Sequence, residues 1–470
     1  LSRYREELAR GLDTHAAIAR TLQTAGRTVL FGSLTVAGAL ASLLVFPLRF
    51  LYSMGIGGAL VTLSAGTVSL IVLPAVLVAL GPRINALAPA RLQRNAAQAA
   101  QPAERGAWYR LARGVMRRPG LVALGTAAVL IVVALPALRL QLSPADAHVL
   151  PSSSQPRQVA EAITHDFAVD GSQTVTMVAR GGRGVDHGGQ TVAALARRAQ
   201  VAAGGQASLA GPPRYLGRGA WEIEMLPHGT DGSAANQRLI HRLRALASPP
   251  ALLVGGATAW FVDQKAAIAA NTPLALLILA LVTGGFLFLM TGSLVLPFVA
   301  LLMNLLTVAV GAGLLVLIFQ DGHLSGLFGF SPIGGLEESN LVLLFVVAFA
   351  LSTDYGVFLF GRIKEAHDNG LDTRDAVAHG LERTGRLITA AALLFCVAVG
   401  AFVTSHIFFI KQFGIGTALA VAIDATVVRA LLVPALMGRL GERTWWAPPP
   451  LRRLHERVRL REGLGEPSGA

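Results

Sequence analysis

The chain has 470 residues, 53% of them apolar and 14% charged, with a mean hydropathy of +0.56. That balance belongs to a polytopic membrane protein and excludes an ordinary soluble enzyme or binding module. A net charge of +13 would suggest nucleic acid in a soluble chain, but the arginines cluster between apolar spans and no aromatic-interleaved basic module accompanies them.

The chain opens on an amphipathic, basic segment, Arg3–Arg27, followed by the apolar spans Val29–Phe46 and Tyr52–Leu80, so residues 1–80 form one unit. Arginine-rich residues 81–120 read as a cytoplasmic linker, and Leu121–Leu138 is the next span. Residues 139–271 are polar and too many for a loop. Within them Thr174–Ala179, Ala220–Met225 and Ala251–Val254 read as strands, and Gln155–Phe167, Gln190–Ala202 and Ala235–Ala247 as amphipathic helices. Their order predicts a small α+β, ferredoxin-like domain of split βαβ type on the outer face. Residues 272–438 supply the spans Thr272–Thr291, Leu294–Phe319, Asn340–Gly361, Leu387–Phe408 and Phe413–Met437, with a second amphipathic helix at 362–386. The tail, 439–470, is basic and belongs inside, whereas Gln320–Ser339 carries Asp321, Glu337 and Glu338 without Lys or Arg and belongs outside.

The chain is internally duplicated. Arg362–Arg386 repeats Arg3–Arg27 without a gap, and Gly11-Leu-Asp-Thr14 is identical to Gly370-Leu-Asp-Thr373. Further on, Gly55-Ile-Gly57 meets Gly414-Ile-Gly416, and Pro74 meets Pro434 with one extra residue in the second copy. Same order and same orientation imply a parallel repeat about an axis along the membrane normal, which is a transporter habit. In the second copy an Asp-Tyr pair lies just upstream of Phe360, the residue opposite Leu1. The expectation is that the chain begins in mid-helix, as the distal part of a longer protein whose N-terminal half is missing.

That pair, Asp354 and Tyr355, sits in the apolar span Asn340–Gly361. A carboxylate near mid-membrane costs about 2.5–3.5 kcal/mol on insertion scales, so a functional role is the default expectation. A carboxyl group out of water can load and release a proton near working pH. Leu351, Asp354, Tyr355 and Phe358 share one helical face, so the two residues read as a proton relay, with Tyr355 placed to hydrogen-bond across to the facing half. Asp424 and Arg429 in the last span are candidates for a coupling ion pair, although on an α-helix they stand about 140° apart and need long side-chain reach. The matching part of the first copy, Ser64 to Leu70, is uncharged. Ser352 and Thr389 are candidate relay lining, while a Thr in a packed span more often bonds its own i−4 carbonyl. Gly55, Gly57, Gly414 and Gly416 read as points of close helix approach, and His406 as interfacial. The single cysteine, Cys396, allows neither an internal disulfide nor a cysteine-based zinc site. No Walker motif, Cys/His cluster or Ser-His-Asp set occurs, so no metal, cofactor, ATP drive or enzyme activity is expected.

The text Leu351-Ser-Thr-Asp-Tyr-Gly-Val-Phe-Leu359, Arg362-Ile-Lys-Glu-Ala366, Gly380-Leu-Glu-Arg-Thr-Gly-Arg386, Ile423-Asp-Ala-Thr-Val-Val-Arg429 and Trp445-Trp-Ala-Pro448 resembles the MMPL (mycobacterial membrane protein, large) exporters of the resistance–nodulation–division superfamily. Thr24-Ala-Gly-Arg-Thr-Val-Leu-Phe31 matches in the first repeat. The resemblance implies an α-helical polytopic membrane fold of twelve spans in two halves, each half with an outer porter domain. About eight of those spans and one porter domain are present here. It also implies a bacterial plasma-membrane exporter of lipids, lipid-like metabolites or drugs, driven by protons through an Asp-Tyr pair from each half. The implied partners are membrane lipids, an amphipathic or hydrophobic cargo, protons and the missing N-terminal half, and not nucleic acid. Two other readings stay open: a non-transporting membrane fragment or assembly partner, and a protein-export auxiliary of the same superfamily.

Overall fold

Eight helices in the computed structural model are long and apolar enough to cross a membrane; residues 2–9, 11–81, 106–144, 147–167, 174–180, 185–229, 232–246 and 252–458 are described. Span 1 is Thr14–Val45, span 2 Arg49–Leu80, span 3 Pro119–Arg139 and span 4 Ala257–Thr291. Span 5 is Val295–Gln320, span 6 Glu338–Asp368, span 7 Thr373–Thr404 and span 8 Phe408–Trp445. Each apolar run read from the sequence falls mainly on one of these helices. Most of the basic linker, and the tail beyond residue 458, lie outside the described residues.

The two amphipathic segments are not single helices. Span 6 runs on to Asp368, Gly370 turns the chain with φ +91°, and span 7 starts at Thr373. Asp372 caps that start by accepting a hydrogen bond from the Asp375 amide at 2.7 Å. The first copy does the same: a helix at Ser2–Ala9, Gly11 at φ +89°, then Asp13 accepting from the Ala16 amide at 2.7 Å. The identical Gly-Leu-Asp-Thr residues are therefore turn chemistry, a left-handed glycine closing one helix and an aspartate opening the next. Helical periodicity continues on both sides of the turn, which is why each segment reads as one helix.

The outer domain is a sheet backed by helices. Its strands are β2 (Val175–Arg180), β3 (Ala207–Leu209), β4 (Arg214–Gly217), β5 (Ala220–Pro227) and β6 (Leu252–Gly255), while β1 (Leu142–Ser143) lies apart. The order is β3-β5-β2-β6 with every neighbour antiparallel, the expected ferredoxin-like arrangement, and β4 is an added hairpin partner of β5. Alternation does the sorting: Val175, Met177 and Ala179 of β2 are buried. They pack with Val192, Leu195 and Ala199 of the helix Val185–Ala203 and with Leu239, Ile240 and Leu243 of the helix Ala234–Arg244.

This domain runs into the membrane bundle through a continuous helix. Gly256, at φ +114°, follows β6 directly, and span 4 begins one residue later. Ala259 and Val262 of span 4 belong to the outer domain's core. A boundary at residue 271 therefore cuts a continuous helix; the switch to apolar residues there marks the membrane edge, not a new element. Farther along, β1 pairs in parallel with β7 (Leu336–Glu337), tying the exit of span 3 to the entry of span 6. At that entry Glu337 accepts hydrogen bonds from the amides of Ser339 (3.3 Å) and Asn340 (2.6 Å). Burial pushes its carboxyl above the usual carboxylate range, against the pull of those amides. Gln264 of span 4 donates to the Ser339 hydroxyl, so the rod leading from the outer domain touches the start of span 6.

Three of the four repeat glycines sit at close helix crossings. A Cβ at Gly55 would lie 3.1 Å from the Leu40 carbonyl oxygen, one at Gly414 2.9 Å from the Val399 carbonyl oxygen, and one at Gly416 2.6 Å from the Leu344 side chain. Gly57 faces open space. Gly414→Val is expected to destabilise the protein by about 1–3 kcal/mol through overpacking, whereas Gly57→Val leaves the detergent thermal-unfolding midpoint nearly unchanged. Equal midpoints for the two variants would contradict the crossing geometry.

Candidate functional site

Span 8 contains Pro434, and the turns before it, Asp424–Leu432, are π-helical. Span 2 repeats the device, with a π turn at Val68–Val72 ahead of Pro74. Proline has no N–H to give and its ring crowds the carbonyl four residues back, so a wider turn accommodates it. The i→i+5 bonding of a π-helix brings positions five apart onto one side. Asp424 and Arg429 consequently face each other, and Arg429 Nε donates to Asp424 Oδ2 at 2.8 Å. The separation expected for an α-helix does not apply here. Both side chains are sealed from solvent, Asp424 being 2% and Arg429 3% exposed.

Around the pair lies a hydrogen-bonded network drawn from spans 5, 6 and 8. Ser352 Oγ lies 2.7 Å from Asp424 Oδ1 and 2.7 Å from Asn304 Oδ1, and its single proton serves one of them at a time. Thr307 donates to Asp424 Oδ1 at 3.4 Å. Asn304 Nδ2 donates to Thr353 Oγ1 at 2.8 Å, and Thr353 donates in turn to the Phe349 carbonyl. Arg429 Nη2 donates to the Ser352 carbonyl, while its Nη1 has no hydrogen-bond partner among the described residues. The guanidinium instead lies 5.6 Å from the centroid of the Tyr355 ring, in cation–π range.

Asp354 stands beside this network rather than in it. Its side chain is half-buried and presses on Gly32 of span 1, so closely that a Cβ on Gly32 would overlap Asp354 Oδ1. No hydrogen bond reaches its carboxyl group among the described residues, and Arg429 lies within Coulombic reach. Within this chain the ring of Tyr355 lies over Arg429. Thr389 is left out of the network, because its hydroxyl donates to its own Gly385 carbonyl at 2.8 Å on an exposed face. His406 is exposed between spans 7 and 8. Sequence reasoning missed Asn304, Thr307 and Thr353. The readable signal was the i, i+3 spacing of Asn304 and Thr307 in an otherwise apolar helix, which marks one polar face.

The MMPL family profile matches residues 1–122 and 225–462. The chain belongs to the MMPL family. It is 41% identical over 475 residues to a membrane protein of Streptomyces coelicolor, covering 100% of this chain and 64% of that one. It is 35% identical over 502 residues to the trehalose monomycolate exporter MmpL3 of Mycobacterium tuberculosis, covering 99% and 52%. Against the heme uptake protein MmpL11 of Mycobacterium tuberculosis the identity is 31% over 458 residues, covering 95% and 47%. The chain thus spans about half the length of these mycobacterial relatives. Among solved structures, SecDF in its super-membrane-facing form aligns at a TM-score of 0.49 and 16% identity, covering 93% of this chain and 51% of that one, too distant to bear on function. As an MMPL protein with eight apolar helices, the chain is a multi-pass protein of the plasma membrane.

Removing one member of a buried ion pair strands the other. Arg429→Met is therefore expected to destabilise the protein by about 3–5 kcal/mol, with much of the loss recovered when Asp424→Asn is added. Denaturant unfolding of the two variants in detergent checks this. A double variant no more stable than Arg429→Met would contradict the pairing.

Proposed function

We propose that the protein works as a proton-driven exporter of lipid or lipid-like amphipathic cargo, with Asp354 as the group that takes up and releases the proton. One observation carries the reading: a half-buried carboxyl without a hydrogen-bond partner among the described residues, pressed on Gly32 of the other repeat and within Coulombic reach of Arg429. Asp424 already compensates Arg429, and Ser352 and Thr307 complete its hydrogen bonding. Asp354 is then the charge left to change. When it is ionised, Arg429 is shared between two carboxylates; when it is protonated, Arg429 relaxes towards Asp424 and the face of Tyr355.

Such a switch at the contact between spans 1 and 6 biases a two-state rocking of the repeats. Moving one elementary charge through 100 mV supplies about 2.3 kcal/mol, enough to shift such an equilibrium about fiftyfold. Span 4 offers the route outward, since it touches the head of span 6 through Gln264 and carries Ala259 and Val262 into the porter domain. The cargo class follows from relatives named for trehalose monomycolate export and heme uptake, both at more than 30% identity. The reading is transport with no covalent step, and it requires neither metal nor cofactor.

Asp354→Asn, introduced into the protein that carries this chain, is expected to reduce export of a labelled lipid to background while membrane abundance stays unchanged. Asp354→Glu should restore part of it. Retained export in Asp354→Asn would overturn the proposal. An abundant wild-type protein that exports nothing would favour the assembly-partner reading.

A further inference from the structure

The helix Ala107–Arg117 precedes span 3 and is divided sharply between two faces. Ala112, Val115 and Met116 are buried, whereas Arg110, Arg113 and Arg117 are exposed at i, i+3 and i+7 along the opposite side. The buried side is fixed firmly. Trp108 packs on Gly385 of span 7, where a Cβ would lie 2.6 Å from its ring, and Met116 packs on Gly438 of span 8. The Tyr109 amide donates to Glu382 at 3.0 Å and its hydroxyl to Asp375 at 3.2 Å. Held in this way, the helix cannot roll to hide its arginines.

Those arginines border an open cleft of about 630 Å³ lined by Tyr109, Arg110, Arg113, Gly114, Arg117 and Asp375. Asp375 is the only carboxylate of that lining, and it pairs with Arg113 at 3.1 Å. Arg110 and Arg117 have no carboxylate partner among the described residues. A Cβ on Gly114 would meet nothing within 4 Å, so the middle of the face is clear. Planar guanidinium forks spaced along one helix face suit the oxygens of a phosphate.

We propose that this face binds the phosphate headgroup of an anionic phospholipid in the cytoplasmic leaflet. Two sources share that chemistry, lipid and free phosphate, and the surroundings favour the lipid. Pro119 begins span 3 two residues after Arg117, so the cleft opens at the membrane edge, on the side where basic segments face anionic headgroups. The adjoining surface of span 3 offers a bed for acyl chains, with Leu121 68% and Leu124 73% exposed. A bound headgroup bridges the inner ends of spans 3, 7 and 8, because the helix that holds it is packed on all three. The proposal is independent of any transport role.

The test uses the full chain, purified in detergent and stripped of lipid, and follows its thermal-unfolding midpoint. Phosphatidylglycerol is expected to raise the midpoint, phosphatidylcholine is not, and the shift should shrink as salt screens the contact. The double variant Arg110→Gln/Arg117→Gln should lose at least half of the shift while its midpoint without lipid is unchanged. If that basal midpoint falls, native mass spectrometry decides, with wild type expected to retain at least one more phosphatidylglycerol than the variant. Equal retention, or an equal lipid shift in the variant, would overturn the proposal. An equally large shift with inorganic phosphate alone would assign the site to free phosphate and overturn the lipid assignment.

Discussion

An ion pair sealed inside an apolar helical bundle persists only where neighbouring groups answer most of its remaining hydrogen-bonding atoms. Asp424 and Arg429 impose that condition on three helices at once. Ser352 of span 6 and Thr307 of span 5 serve the carboxylate, the Ser352 carbonyl and the Tyr355 ring serve the guanidinium, and Asn304 links Ser352 to Thr353. Spans 5, 6 and 8 are therefore held in one relative rotation by polar contacts at the level of this pair. Gly356 belongs to the same constraint, since a Cβ there would already touch Arg429 Nη1 at 3.5 Å.

The repeats share a scaffold and divide the chemistry. Each copy has the Gly-Leu-Asp-Thr turn, a glycine at the crossing of its last two spans, and a π turn ahead of a proline. Only the second copy places a carboxylate and an arginine in that π turn. The first copy supplies the smooth face, with Gly32, against which Asp354 rests. Duplication gives two matching helical scaffolds, and divergence puts the charges on one of them.

The spans were legible because long apolar runs report burial in lipid residue by residue, and the outer domain because strand alternation in β2 and β5 is equally local. The turn at 369–372 was readable in principle, as a left-handed glycine followed by an aspartate cap, but the helical period on either side masked it. Asp354, Asp424 and Arg429 announced themselves by the cost of charge in an apolar span. Their arrangement did not. The Asp424–Arg429 contact depends on a π turn that α-helical spacing hides, and the partnership of Asn304 with Thr353 depends on which spans pack together. Tyr355 shows the same limit: its residue type announced a polar handle, but the placement of its ring over Arg429 depends on how spans 6 and 8 pack.

The outer domain enters this picture through geometry alone. Its core includes the first turns of span 4, and that helix continues to Thr291 through Pro273, so the domain and the span share one element. The chain of consequence begins at the wide turn ahead of Pro434, which brings Asp424 to Arg429. The most direct measurement is a cryo-electron-microscopy structure of Pro434→Ala, read at the Asp424 Oδ2–Arg429 Nε distance. The account predicts that residues 424–432 rewind as α-helix and the pair separates beyond hydrogen-bonding distance. An intact π turn, with the pair still joined at 2.8 Å as it is here, would contradict it.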